Sequence, residues 1–129
     1  MISQSIMKIN LFLQGVIVRL KENIDYFSGM NVTFKSGVKE YYFSLEADGD
    51  GFKYTYLGTE NIIDIDSVVP FILEELKKYD SVIITYSDRI NTLEITGDNR
   101  NVSSRNIDNP NKNITPKNAT VGGREYIIK

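Results

Sequence analysis

The sequence predicts an α+β domain: a mostly antiparallel sheet of about five strands with two helices, in the order α-β-β-β-α-β-β, followed by a disordered tail. Three observations lead there. Two stretches repeat their apolar residues with helical spacing, several short runs alternate apolar and polar residues between Gly- and Asp-containing turns, and the chain beyond Gly97 is dominated by Asn, Asp, Ser and Lys. A length of 129 residues suits one core, which assigns residues 1–97 to the domain and 98–129 to an Asn-rich polar linker or tail with a short apolar end.

In the first helical stretch Ile9, Phe12, Leu13, Val16, Ile17, Leu20, Ile24 and Phe27 fall on one side, predicting a helix from about Gln4 to Phe27 with Gly29 as its left-handed C-terminal cap. The β-branched run Val16-Ile17-Val18 beside Gly15 supports a competing hairpin turning at Gln14-Gly15, so residues 8–21 are open between the two. Three strand-like runs follow: Asn31 to Lys35, Glu40 to Glu46 and Phe52 to Leu57, joined at Ser36-Gly37 and Asp48-Gly49-Asp50-Gly51. Tyr41, Phe43 and Leu45 share one face of the second run, while Tyr42, Ser44 and Glu46 share the other; Phe52, Tyr54 and Tyr56 alternate with Lys53, Thr55 and Leu57 in the third. One face is therefore expected to be buried and the other wet.

A second helix is expected after Asp66 or Ser67, with Pro70 in its first turn, where a missing N–H leaves no carbonyl unpaired. Its inward stripe is Val69, Ile72, Leu73 and Leu76, with Glu74 and Lys78 paired outside. Ser81 to Tyr86 and Arg89 to Thr96 then form a hairpin across Ser87-Asp88, with Val82, Ile84, Tyr86, Leu93 and Ile95 facing in. From Gly97 to Gly123 too few apolar residues remain to offset ordering entropy, and Arg124 to Lys129 closes the chain as a further element or an adhesive end.

Composition narrows function. With no Cys, neither a disulfide framework nor a thiolate metal site can form, and a reducing, cytoplasmic setting fits. With no His, the usual triads and the commonest nitrogen ligand are excluded. Fifteen Lys and Arg against seventeen Asp and Glu give a net charge of -2, too balanced for a dedicated nucleic-acid binder. The apolar stretch from Met7 to Leu20 is interrupted by Asn10 and Gln14, runs into Arg19 and has no small-residue cleavage pattern, so neither an export signal nor a membrane span is expected.

Asp48-Gly49-Asp50-Gly51 has the carboxylate spacing of a calcium loop. In that register Glu46, Asp48 and Asp50 take the early positions, but Leu57 stands where a bidentate Glu belongs, and a hairpin turn is the better reading. Glu60, Asp64 and Asp66 lie in one short loop where they suit the positive end of the following helix better than catalysis. Sequons at Asn31, Asn101, Asn113 and Asn118 are expected in so Asn-rich a chain. No phosphate loop, nucleophile elbow or dinucleotide fingerprint occurs, so no catalytic, cofactor-binding or metal-ligating residue is assigned and no cofactor is expected. Tyr42, Tyr54, Tyr56 and Tyr86, all on strands, form the candidate interaction surface, because Tyr is enriched at protein interfaces.

The order helix, three-strand meander, helix, hairpin, polar linker and then Arg124-Glu125-Tyr126-Ile127-Ile128-Lys129 resembles the N-terminal accessory domain and linker of a group of bacterial class I SAM-dependent methyltransferases. The resemblance implies a fragment or free-standing relative without the catalytic domain, and it carries over no SAM-binding residue. The expected function is a non-catalytic accessory or protein-interaction domain with a protein partner; the alternative is a small phage or bacterial inhibitor or immunity-type protein that binds and blocks an enzyme.

Overall fold

The structure is a computed structural model that describes residues 1–107 and the backbone of residues 119–121 and 124–126. Helix α1 (Ser3–Glu22) leads through a 3-10 turn (Ile24–Tyr26) into strands β1 (Phe27–Ser36), β2 (Lys39–Asp48), β3 (Gly51–Tyr56) and β4 (Thr59–Ile63). Helix α2 (Ile65–Leu76) follows, then β5 (Ser81–Asp88), β6 (Thr92–Asp98) and β7 (Val102–Asn106). These strands make one seven-stranded sheet in the order β4-β3-β2-β1-β5-β6-β7, every neighbouring pair antiparallel. Two four- and three-strand meanders thus meet where β1 pairs with β5 at the centre. A short hairpin of β8 (Ala119–Val121) and β9 (Arg124–Tyr126) stands apart from that sheet, with β8 beside α1.

The α+β class is as the sequence predicts, but the sheet has seven strands rather than five. Thr59–Ile63, read from sequence as a carboxylate loop, is β4; Val102–Asn106, assigned to the tail, is β7 and carries the domain past Gly97. The sequons at Asn113 and Asn118, and the closing Ile127-Ile128, lie outside the described residues.

Residues 8–21 are helix, not hairpin. Ile9, Phe12, Leu13, Val16, Ile17 and Leu20 are all buried, which a 3.6-residue period achieves and a period of two cannot. The helix stops at Glu22 with Asn23 as its cap, short of the expected Phe27, and Arg19 and Lys21 occupy the last turn, where cations favour the negative helix end. Gly29 is not a cap: it sits inside β1 beside a register shift between Phe27 and Gly29.

Helix α2 begins at Ile65 after Asp64, earlier than predicted, so Pro70 lies beyond the first turn and supplies no N–H to the Asp66 carbonyl. Val68, Val69, Ile72 and Leu76 are buried, while Leu73 is half-buried. The outer ion pairs are Lys77–Glu74 and Lys78–Glu75, each at 3.0 Å and three residues apart, in place of the predicted Glu74–Lys78.

Both helices cover the same face. Met30, Val32 and Phe34 of β1, Phe43 and Leu45 of β2, and Val82, Ile84 and Tyr86 of β5 form the sheet's side of the core. Burying side chains of this size is worth about 1.5–3 kcal/mol each before the entropy of ordering them is counted. Helix α1 lies over β6 and β7, where Gly97 makes room for it: a Cβ there would stand 3.0 Å from Ile9 Cδ1. Helix α2 lies over β2 and β3, with the Phe71 ring 5.7 Å from Phe43 and 5.0 Å from Tyr54. At its C-terminal end the α-ammonium of Met1 donates to the carbonyls of Leu76 (3.2 Å) and Tyr79 (2.6 Å), a cation at the negative pole of the helix.

Candidate interaction surface

Among the described residues the second face of the sheet carries no helix, and strand parity dictates what it shows. Because the core takes Val32, Phe43, Ile84 and Ile95, the alternate positions point the other way. Cross-strand pairing aligns them into rows. One row runs Thr55, Ser44, Asn31, Thr85, Glu94, Arg105 across β3, β2, β1, β5, β6 and β7. The next, two residues along each strand, runs Tyr42, Thr33, Ile83, Thr96, Ser103.

Charges frame these rows. Arg105 Nε donates to Glu94 Oε1 at 3.0 Å at one end, while Lys53 lies 3.2 Å from Glu46 and 3.7 Å from Glu60 at the other. Lys35 lies 3.6 Å from Glu40 along a third side. Within the frame Ser44, Asn31, Thr85, Thr33, Ile83, Thr96 and Ser103 carry no charge, over a tract roughly 20 Å wide at the usual spacing of strands. Tyr42 stands at its margin, 63% exposed, its hydroxyl donating to Glu40 Oε1 at 2.8 Å. That hydrogen bond, with the charge of Glu40 second, raises the phenol above its ordinary pKa.

The four tyrosines singled out by sequence do not make one surface. Tyr42 alone lies on the open face. Tyr54 is half-buried against Phe43 and Phe71. Tyr56 is 7% exposed; its hydroxyl donates to Glu75 Oε1 (2.9 Å) and lies 2.6 Å from the Tyr79 hydroxyl, tying β3 to the end of α2. Tyr86 is fully buried, its hydroxyl donating to Asp88 Oδ2 at 2.9 Å. Burial, and then hydrogen bonding to oxygen partners, pushes both the Tyr56 and Tyr86 phenols well above their usual pKa. The open-face Thr, Ser and Asn residues are not marked by residue type, although alternation in Ser81–Tyr86 and Glu40–Glu46 separates their parity from the core's.

The acidic clusters disperse into separate tasks. Glu60 joins Lys53, Asp64 precedes the first turn of α2, and Asp66 accepts from Lys21 Nζ at 2.6 Å. Asp48 closes the β2–β3 hairpin opposite Gly51, and Asp50 lies in the turn beside Gly49, which takes a positive φ of 60°. Among the described residues no three acidic side chains converge as a metal ion would require. A cleft of about 420 Å³ lies between the 3-10 turn and that hairpin, lined by Ile24, Phe27, Ala47 and Phe52 and by the exposed residues Asp25 and Asp50; no hydroxyl, thiol or amine side chain lines it. No helix among the described residues is long and apolar enough to cross a membrane.

Compared with protein-family models, with curated proteins and with solved structures, the chain matches none. The observed element order adds β4 and β7 to the one that carries the methyltransferase resemblance.

Proposed function

We propose that this protein is a non-catalytic interaction domain that binds a protein partner through the open face of its sheet, around Thr33, Thr85 and Thr96 with Tyr42 at the margin. The observation that carries the reading is the uncharged, hydroxyl-lined tract framed by ion pairs. Burying such a tract against a partner avoids the desolvation of charges, and its Thr and Ser hydroxyls serve equally as donors or acceptors. Thr on a strand is stiff at χ1, so little side-chain entropy is lost on contact. Tyr42 adds the large, half-polar anchor that interfaces favour.

The test is capture of partners from native lysate by the full chain and by Thr33→Lys and Thr96→Lys variants, with circular dichroism confirming the fold. A stoichiometric partner held by the parent and lost by both variants is the expected result. Equal capture by all three proteins refutes the assignment of this face.

A further inference from the structure

Strand β4 is an edge of the sheet, and its backbone geometry follows from its turn. Leu57 and Gly58 both have positive φ (52° and 77°), a two-residue turn of the I′ kind, so the closing pair Tyr56↔Thr59 is hydrogen-bonded. Alternation then makes Tyr54↔Asn61 and Phe52↔Ile63 the other hydrogen-bonded pairs. The N–H and C=O of Glu60 and Ile62 consequently point away from β3, along the free edge.

Sheet edges are ordinarily blunted by charged side chains, Lys above all, by Pro, by a bulge or by a covering element. Thr59-Glu60-Asn61-Ile62-Ile63 carries one charge, Glu60, contains no Lys or Pro, pairs with β3 without a register shift, and is exposed on both faces from Thr59 to Ile62, with Ile62 83% exposed. The opposite edge differs: β7 carries Arg105 and buries Val102 and Asn106.

We propose that β4 is a self-association edge, pairing antiparallel with β4 of a second copy about a twofold axis through Asn61. The register is chosen by charge. An axis at Glu60 would set two carboxylates opposite each other, and an axis at Ile62 would set Glu60 opposite Asp64. The axis at Asn61 sets Glu60 opposite the partner's Ile62, Thr59 opposite the partner's Ile63, and Gly58 opposite the partner's Asp64, with no like charges facing. It also joins the outward N–H and C=O groups of Glu60 to those of the partner's Ile62. On the open face Lys53, which is in register with Ile62, then has the partner's Glu60 two strands away, roughly 10 Å between backbones and within the combined reach of the two side chains. The charges at this edge are thus self-complementary across the axis.

An edge this short buries less than a standard interface, so association belongs in the micromolar range or weaker, and sedimentation velocity from about 5 to about 500 μM covers it. The expected result is a rise from monomer towards twice the monomer mass. Ile62→Pro removes an outward N–H without breaking a bond to β3, so it should weaken association at least about tenfold while leaving the monomer's circular dichroism and denaturation unchanged. Ile62→Thr keeps the N–H and should associate within a few-fold of the parent. A parent that stays monomeric throughout the series, or association that Ile62→Pro leaves intact, overturns the proposal.

Discussion

Tyr86 illustrates how one side chain binds burial, turn chemistry and pH response together. Its ring is fully buried and 5.9 Å from that of Phe27, and its hydroxyl ends on Asp88, whose other oxygen accepts from the amides of Ile90 and Asn91 at 2.8 Å each. The phenol is held neutral in the folded state by burial and by that carboxylate, so its folded pKa lies above the unfolded one. A raised folded pKa contributes stability that is fully present below the unfolded value of about 10 and declines as pH climbs above it. Above that value stability should fall as pH rises, with both Tyr56 and Tyr86 contributing to the decline. Urea denaturation between pH 8 and pH 11 checks this; in Tyr86→Phe the alkaline limb should be shallower, and an unchanged slope would show that Tyr86 does not drive it.

At the scale of elements, turns repeat a small vocabulary. The β5–β6 and β6–β7 connections use the same device: the Asp88 N–H donates to the Asn91 carbonyl and the Asp98 N–H to the Asn101 carbonyl, both at 2.9 Å, while each Asp side chain accepts two amides within its loop. Those amides, Asn101 and then Arg100, hold the Asp98 carboxyl below its ordinary pKa. The β3–β4 turn is less well matched, since Leu57 adopts a left-handed φ of 52° that costs a Leu about 1–2 kcal/mol. Leu57 is exposed, so Leu57→Asn loses little packing and should raise stability by about 1 kcal/mol, read as a higher urea midpoint at unchanged slope; no gain would show that the turn is not strained. This level also decides what the sequence made legible. The parity of Tyr41, Phe43 and Leu45 against Tyr42, and the buried stripe of α2, were readable because burial imposed a period on them. Thr59–Ile63 was not, because an edge strand exposed on both faces has no hydrophobic alternation to display. Val102–Asn106 was hidden similarly: its inward positions are Val102, Ser104 and Asn106, of which only the first is apolar, and Asn106 is held by a polar contact, its Nδ2 donating to Asn91 Oδ1 at 2.8 Å. Gly29 misled because a glycine after a helix is the usual cap signal, whereas here Asn23 ends the helix and the glycine lies within β1 beside a register shift.

At the scale of the whole molecule, two helices on one side of a seven-stranded antiparallel sheet leave its other side without a helix among the described residues. The sequence foretold a half-wet sheet but located its aromatic candidates by residue type, which mixed Tyr42 with three residues of the helix side. Exposure parity sorts them, and Thr33, Thr85 and Thr96 take the place of Tyr54, Tyr56 and Tyr86 in the proposed surface. Met7 offers an internal reference, since it is 68% exposed on the outer side of α1, across the sheet from Tyr42. Hydroxyl-radical footprinting of the free and the partner-bound protein, read residue by residue by mass spectrometry, therefore tests the central claim directly. Binding through the open face predicts that labelling of Tyr42 falls several-fold while Met7 keeps its free-state rate. Protection of Met7 with Tyr42 unchanged would contradict it and move the binding surface to the helices.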